Sequence, residues 1–389
     1  MKRVLLIVDY FGRWPEWMEV FLLSCAHNRS IDWLIHTDCP LPALRPDNVR
    51  FVSQSFEDYC RKASDRLDLR FSPYEECPSG KGQVPQYNNL CDLRPCYGDL
   101  HAEAIAGYDY FGWCDIDVVF GNLRSHLGPE VLNKNLVTFS GSLCSGHFTL
   151  LKNTPEMRRM YRDIPRWRQR IEGRHGRTPW EDCLDEAWLS RLCSPADSYF
   201  CAEAPARGVA PEVMDRYRRD NAFIREWVTP FIPWEWVDGQ LLHPEVWYWR
   251  SGDLTNWRDG HRPFPYLHLM NFKQHRYVNE ELHGLQATWG PSHRVDPTVL
   301  AADVIRIDRA GIVGLSHEEA AADRRQLREH RRLAASLDLS GLNSREALQA
   351  LAAAGASWRQ GVLQDRACVV PPDTRRALWQ AVSNRRLAA

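Results

Sequence analysis

The sequence predicts an α/β fold, an open Rossmann-like sheet flanked by helices, with a helical appendage at the C-terminal end. Three observations carry that expectation. The chain opens on an unbroken apolar run, residues 4–8, closed by Asp9; a strand apolar on both faces belongs inside a parallel sheet. Strand-like and helix-like stretches then alternate as far as Cys114, the pattern of a doubly wound sheet. Beyond about Pro297 the composition turns to Ala, Arg, Glu and Leu, which favours helix.

Each element has its own reason. Residues 4–8 form the first strand, and Asp9-Tyr10-Phe11-Gly12 the loop at its carboxyl end. Pro15 suits a first helical position, and Trp17, Val20, Phe21 and Ser24 follow at helical spacing. Residues 32–36 and 49–52 read as further strands, and residues 56–67 as a helix. Three prolines and two glycines make residues 72–89 a loop. Residues 95–106 read as a helix leading into a strand over residues 110–114. Short strands follow at residues 136–139 and 148–152, and Thr154 or Asn153 can cap a helix that starts at Pro155. Residues 180–192 read as an amphipathic helix, and residues 246–257 as a hairpin turning at Ser251-Gly252-Asp253. Residues 317–337, a capped alanine-rich stretch at 343–355, and residues 373–386 give the helical appendage. The expected domains are 1–296 and 297–389.

Composition excludes several classes. The net charge is −1, so there is no global basic field to draw the chain onto nucleic acid. The apolar run after Met1 is too short for a signal peptide, and no stretch is long and apolar enough to span a bilayer. Cytoplasm is the expected compartment, with peripheral association with the inner membrane left open. In that compartment the twelve cysteines read as reduced thiols, and none sits at zinc-site spacing. Most of the sixteen tryptophans read as core. No Gly-x-Gly-x-x-Gly follows the first strand, which disfavours a nicotinamide dehydrogenase.

The chemistry centres on Phe111-Gly112-Trp113-Cys114-Asp115-Ile116-Asp117-Val118. Two carboxylates, one residue apart, stand where a buried strand runs out, and open α/β sheets bind ligands beyond the carboxyl ends of their strands. Magnesium and manganese take such oxygen ligands together with substrate phosphates. The plain alternative is that the two aspartates solvate a turn.

Context separates the two readings. The order Cys91-Asp92-Leu93-Arg94-Pro95, helix, strand, Asp115-x-Asp117 resembles the nucleotide-sugar transferases of glycosyltransferase families 8 and 32. Adding Phe11-Gly12-Arg13-Trp14-Pro15, Leu34-Ile35-His36-Thr37-Asp38 and the run from Gly112 to Asn122, roughly residues 1–277 resemble a poorly characterised bacterial family of GT-A glycosyltransferases associated with surface-polysaccharide synthesis. That resemblance implies a GT-A-type sheet and a metal-dependent sugar transfer. It further implies a nucleoside-diphosphate sugar as donor, a UDP-sugar favoured, and a glycan or lipid-linked acceptor. It implies that Asp9, Tyr10 and Gly12 hold the nucleotide, that Asp92 and Arg94 face the donor, and that Asp115 and Asp117 bind Mn²⁺ or Mg²⁺. His268 is the candidate third ligand, with His275 as fallback, and Lys273 the diphosphate contact; the family 8 motif ending in Lys-Pro-Trp is matched only in part. Gly146 and His147, in a glycine-bearing turn between two strands, line the donor or acceptor pocket or simply make the turn.

A second acidic cluster, Glu181-Asp182-Cys183-Leu184-Asp185-Glu186, opens the helix expected over residues 180–192. An inverting transferase needs a carboxylate base there, and a retaining one a group that positions the donor. Asp185 and Glu186 are the candidates; Glu181 and Asp182 suit the acidic first turn of any helix. Two rivals remain. A haloacid-dehalogenase-like phosphatase also uses strand-Asp-x-Asp, but after its first strand. A noncatalytic module could bind glycans or partners through its tryptophans.

Overall fold

The computed structural model describes residues 1–76, 83–85, 87–172, 182–226, 228–229, 246–257, 260–269, 294–308 and 311–336. The chain divides into two compact units: Met1–Val118 with Leu123–Glu226, and Val119–Asn122 with Trp227–Ala389. Expected helices at 343–355 and 373–386 lie outside the described residues, as do Lys273 and His275.

Unit 1 is a mixed α/β layer structure. Its strands are β1 (Val4–Asp9), β2 (Ile31–Thr37), β3 (Val49–Ser53), the small antiparallel pair β4 (Tyr74–Glu76) and β5 (Gln83–Pro85), and β6 (Tyr110–Cys114). After β7 (Val118–Phe120), most of which belongs to the other unit, come β8 (Leu136–Thr138), β9 (Phe148–Lys152) and β10 (Asn221–Phe223). The main sheet has seven strands in the order β10-β8-β9-β6-β1-β2-β3. The run β6-β1-β2-β3 is parallel, whereas β9 is antiparallel to both β6 and β8. The chain moves outward from β1 to β3 and then returns to the other side of β1 with β6. That reversal makes the carboxyl ends of β1 and β6 a topological switch point, the place where open α/β sheets bind ligands.

The apolar run over residues 4–8 explains why β1 is central. Val4, Leu5, Leu6, Ile7 and Val8 are all buried, so the strand has no face fit for water. Leu5 and Ile7 join a core with Leu34, Phe111, Trp113 and Leu151 from neighbouring strands and with Tyr59 and Ala63 from helix α2 (Phe56–Leu67). Helix α1 (Met18–Ala26) buries Val20, Phe21, Leu22 and Cys25. Helix α2 starts where Ser55 caps it, its hydroxyl accepting the N–H of Asp58 at 3.0 Å.

The long helix expected over residues 95–106 does not form. A 3₁₀ stretch, Tyr87–Cys96, carries Pro95, and only α3 (Tyr97–Leu100) is α-helical. Glycine is a weak helix former, and Gly98 is fixed by close packing on the next helix, α4 (Pro155–Arg159), where a Cβ would stand 2.5 Å from the Cα of Arg158. The helix expected over residues 180–192 appears in its described part as a π-helical turn, Leu184–Trp188, running into α5 (Leu189–Cys193). Thr154 caps α4 as its spacing predicts. All ten described cysteines are free thiols.

Unit 2 holds β11 (Trp247–Arg250), β12 (Asp253–Asn256), β13 (Tyr266–His268), β14 (Arg294–Val295), β15 (Val304–Asp308) and β16 (Gly311–Leu315). Five of these make a sheet in the order β12-β11-β15-β16-β14, while β13 pairs with β7. Ser251 and Gly252 both take positive φ, +46° and +91°, the turn a two-residue hairpin needs. The stretch after Pro297, expected to be a helical appendage, holds β15 and β16 before its first long helix. Strand β15 is interior, paired with β11 on one side and β16 on the other and burying Val304, Ile305 and Ile307, so the change in composition there marks no break in the sheet. Helix α6 (His317–Ser336) follows, burying Ala320 and Leu327 against Val246, Tyr248, Trp257 and Val304. No helix among the described residues is long and apolar enough to cross a membrane.

Candidate functional site

Antiparallel pairing builds the site. Strand β9 runs against β6, so the turn that precedes β9 lies beside the carboxyl end of β6, and Gly146 and His147 come next to Asp115. The N–H of Asp115 donates to the carbonyl of His147 at 3.3 Å. Carboxylate oxygens of Asp115 and Asp117 lie within 4.8 Å of each other. Asp115 keeps 26% of its side chain exposed, whereas Asp117 is buried at 2%, so one carboxylate of the pair opens to solvent and the other is held inside.

Arg94 gathers the rest. Its guanidinium reaches Asp115 through Nη2, and through Nη1 the carbonyl of Gly146 and the Oδ2 of Asp185, both at 2.8 Å. The N–H of Gly146 in turn donates to Glu186 Oε1 at 2.9 Å. A Cβ on Gly146 would lie 2.9 Å from Asp185 Oδ2 and 2.9 Å from Glu186 Oε1, so a glycine is what lets both carboxylates close over this turn. Asp92 acts one layer further in: Oδ1 accepts the N–H of Leu184 at 2.8 Å and anchors the π-helical turn that carries Asp185 and Glu186.

The electrostatics follow from burial. Burial raises the Asp185 carboxyl above the ordinary aspartate range, and the Arg94 charge pulls it only part of the way back. Burial would lower Arg94, but Asp115 and Asp185 more than offset it and hold the guanidinium above its usual value. The site is thus a permanently charged arginine among carboxylates, one of which has a raised proton affinity.

The residues expected to hold a nucleotide divide. Tyr10 stacks on Trp14 with ring centroids 5.3 Å apart, and Gly12 takes φ +101° while its N–H donates to Asp38 at 2.7 Å. These form an ordered aromatic loop beyond β1. Asp9 does not join it. Its carboxylate turns inward and meets His36 Nδ1 at 2.8 Å, the Tyr59 hydroxyl, and His101 Nε2 at 3.6 Å. With a side chain 0% exposed, Asp9 faces the interior of unit 1.

Comparison with known proteins places the chain only at family level. A family model described as a family of unknown function, DUF6625, matches residues 6–288, well over half of the chain. The chain belongs to DUF6625. No curated protein matches it. All the site residues named above fall inside the DUF6625 match, as does His268. In unit 2, His268 closes β13, buried at 4%, with Nδ1 3.1 Å from the Thr229 hydroxyl. Sequence reasoning missed His36, Tyr59 and His101 as partners of Asp9. A signal existed for one: His36, like Asp9, ends a buried parallel strand, and the two are register partners. Nothing in the spacing points to Tyr59 or His101.

Proposed function

We propose that this DUF6625 protein is a metal-dependent glycosyltransferase of the GT-A kind, moving a sugar from a nucleoside-diphosphate donor, a UDP-sugar favoured, to a glycan or lipid-linked acceptor of a surface polysaccharide. One observation carries the reading: the Asp115–Asp117 pair stands at the switch point of the sheet, with Arg94, Asp185 and Glu186 drawn up beside it.

The donor set suits a hard cation, since both side chains offer oxygen and Asp115 reaches solvent. Asp115 and Asp117 would hold Mn²⁺ or Mg²⁺. His268 remains the third ligand we propose, on the resemblance to GT-A enzymes alone. When bound, the cation neutralises charge on the departing diphosphate. The protein's own groups do the rest. The fixed charge of Arg94 stabilises the same developing negative charge. Asp185, whose proton affinity burial raises, suits the base that takes the acceptor hydroxyl proton in an inverting transfer. Glu186 holds the Gly146 turn against it. Lys273 remains the proposed diphosphate contact.

The test is a panel of nucleotide-sugars, scored by donor hydrolysis and thermal shift with and without Mn²⁺. A metal-dependent response to one nucleotide class supports the reading. Asp117→Ala should cut turnover by about 100-fold or more while circular dichroism stays unchanged. Wild-type turnover in that variant, or an aspartyl-phosphate trapped on Asp115, sinks it.

A further inference from the structure

We propose that Asp9, His36 and His101 hold a divalent transition-metal ion of the zinc class inside unit 1. This centre is separate from the hard cation assigned to Asp115 and Asp117, and nothing in its argument rests on that assignment.

Chain topology brings the three residues together. Asp9 and His36 are register partners at the carboxyl ends of adjacent parallel strands, and His101 follows directly on α3. One ligand-capable atom from each lies within 4.8 Å of the other two. The carboxylate is 2.8 Å from Nδ1 of His36 and 3.6 Å from Nε2 of His101. Ligand atoms bound at about 2.0–2.2 Å around a tetrahedral zinc stand roughly 3.3–3.6 Å from one another. The two imidazoles stack with centroids 4.6 Å apart and 15° between their planes, so one ring has to turn before both lone pairs meet an ion.

A second observation points to a ligand. His101 is 1% exposed, and neither of its ring nitrogens finds a hydrogen-bond partner, the contact with Asp9 being too long for one. Folded proteins rarely bury an imidazole unsatisfied at both nitrogens, and an ion is one of the usual reasons when they do.

The donor chemistry selects the metal. Two imidazoles and a carboxylate suit zinc and its neighbours, whereas magnesium and manganese prefer oxygen. The Tyr59 hydroxyl, bonded to Asp9, is the outer hydrogen bond that fixes a ligating carboxylate. Such an ion would tie the ends of β1 and β2 to the segment after α3. It would thereby brace the Tyr10–Gly12 loop, which leaves β1 directly after Asp9.

The experiment uses the full chain, exposed to Zn²⁺ and dialysed against buffer containing Mg²⁺. Elemental analysis should find one zinc per chain, and zinc-edge absorption should show a nitrogen and oxygen shell with imidazole scattering. His101→Gln should lose the zinc, and Asp117→Ala should keep it. Folded wild-type protein without zinc overturns the proposal, and so does a sulfur shell from the cysteines. Zinc retained by His101→Gln and lost by Asp117→Ala overturns it equally. If His101→Gln fails to fold, the wild-type stoichiometry and ligand shell still decide.

Discussion

At the residue scale, Arg94 is the side chain on which the candidate site turns. It is 13% exposed and answers two carboxylates, and removing one member of a buried charge pair leaves the others uncompensated. Burial already raises Asp185, and Arg94 is what restrains it. Arg94→Met therefore moves the Asp185 carboxyl higher still, so more of it is protonated at any given pH. If Asp185 is the base, the acid limb of the pH–rate profile shifts to higher pH, and kcat/KM at neutral pH falls by about 100-fold or more. Measured profiles of wild type and variant check this; a loss of rate with an unmoved acid limb removes Asp185 from the base role. Residue-level chemistry was only partly legible in the sequence. Asp115, Asp117, Arg94, Gly146, Asp185 and Glu186 were expected to share a site, and in unit 1 the five other than Asp117 are joined by hydrogen bonds and ion pairs. Asp9 looked equally suited, because a strand-end aspartate reads the same whether it faces a ligand or the interior. Only the arrival of His36, Tyr59 and His101, up to 92 positions away, turns it inward.

Elements divide by how their stability is encoded. Strands β1, β6 and β9 and helix α2 match their sequence expectation to within a residue, because contiguous apolar runs and a capped amphipathic stretch are local signals. The region from Tyr87 to Leu100 was not legible, since its 3₁₀ form depends on Pro95 and on the backbone of Arg158 packed against Gly98. Strand β15 was hidden because five residues are too few to stand out beside the helix-rich composition that follows. The cap of α2 gives a quantitative expectation. Its hydroxyl satisfies one N–H that no helical carbonyl can reach. Ser55→Ala should cost about 1 kcal/mol of stability, read from denaturant midpoints at unchanged slope. Ser55→Asp should recover most of it, as aspartate caps equally well. Equal stability for all three proteins would mean that the bond contributes nothing.

The whole molecule is constrained by how its chain is shared between units. The path leaves unit 1 after Val118, spends Val119–Asn122 in unit 2, and returns at Leu123. Those four residues are deeply committed to unit 2. Strand β7 pairs with β13, the N–H of Gly121 donates to Pro265 at 2.8 Å, and the Trp249 indole donates to the Phe120 carbonyl at 2.8 Å. Val119 and Phe120 are 0% exposed, and Phe120 meets the edge of Tyr266. A chain cut after Glu226 keeps every strand of the seven-stranded sheet but loses β13, Trp249, Pro265 and Tyr266 as partners of this excursion. Uncovering a buried valine and phenylalanine costs about 1.5–3 kcal/mol each, and the backbone of β7 loses its hydrogen bonds as well. It also bares an unpaired apolar edge, a template for association. Those losses begin within two residues of Asp117, so they disturb the acidic pair along with the fold. Residues 1–226 expressed alone should therefore aggregate or lack a cooperative unfolding transition, as sedimentation and near-ultraviolet circular dichroism would report. A monomer that melts cooperatively would show that unit 1 closes over β7 without help, and that Asp115 and Asp117 owe nothing of their placement to the strand that follows them.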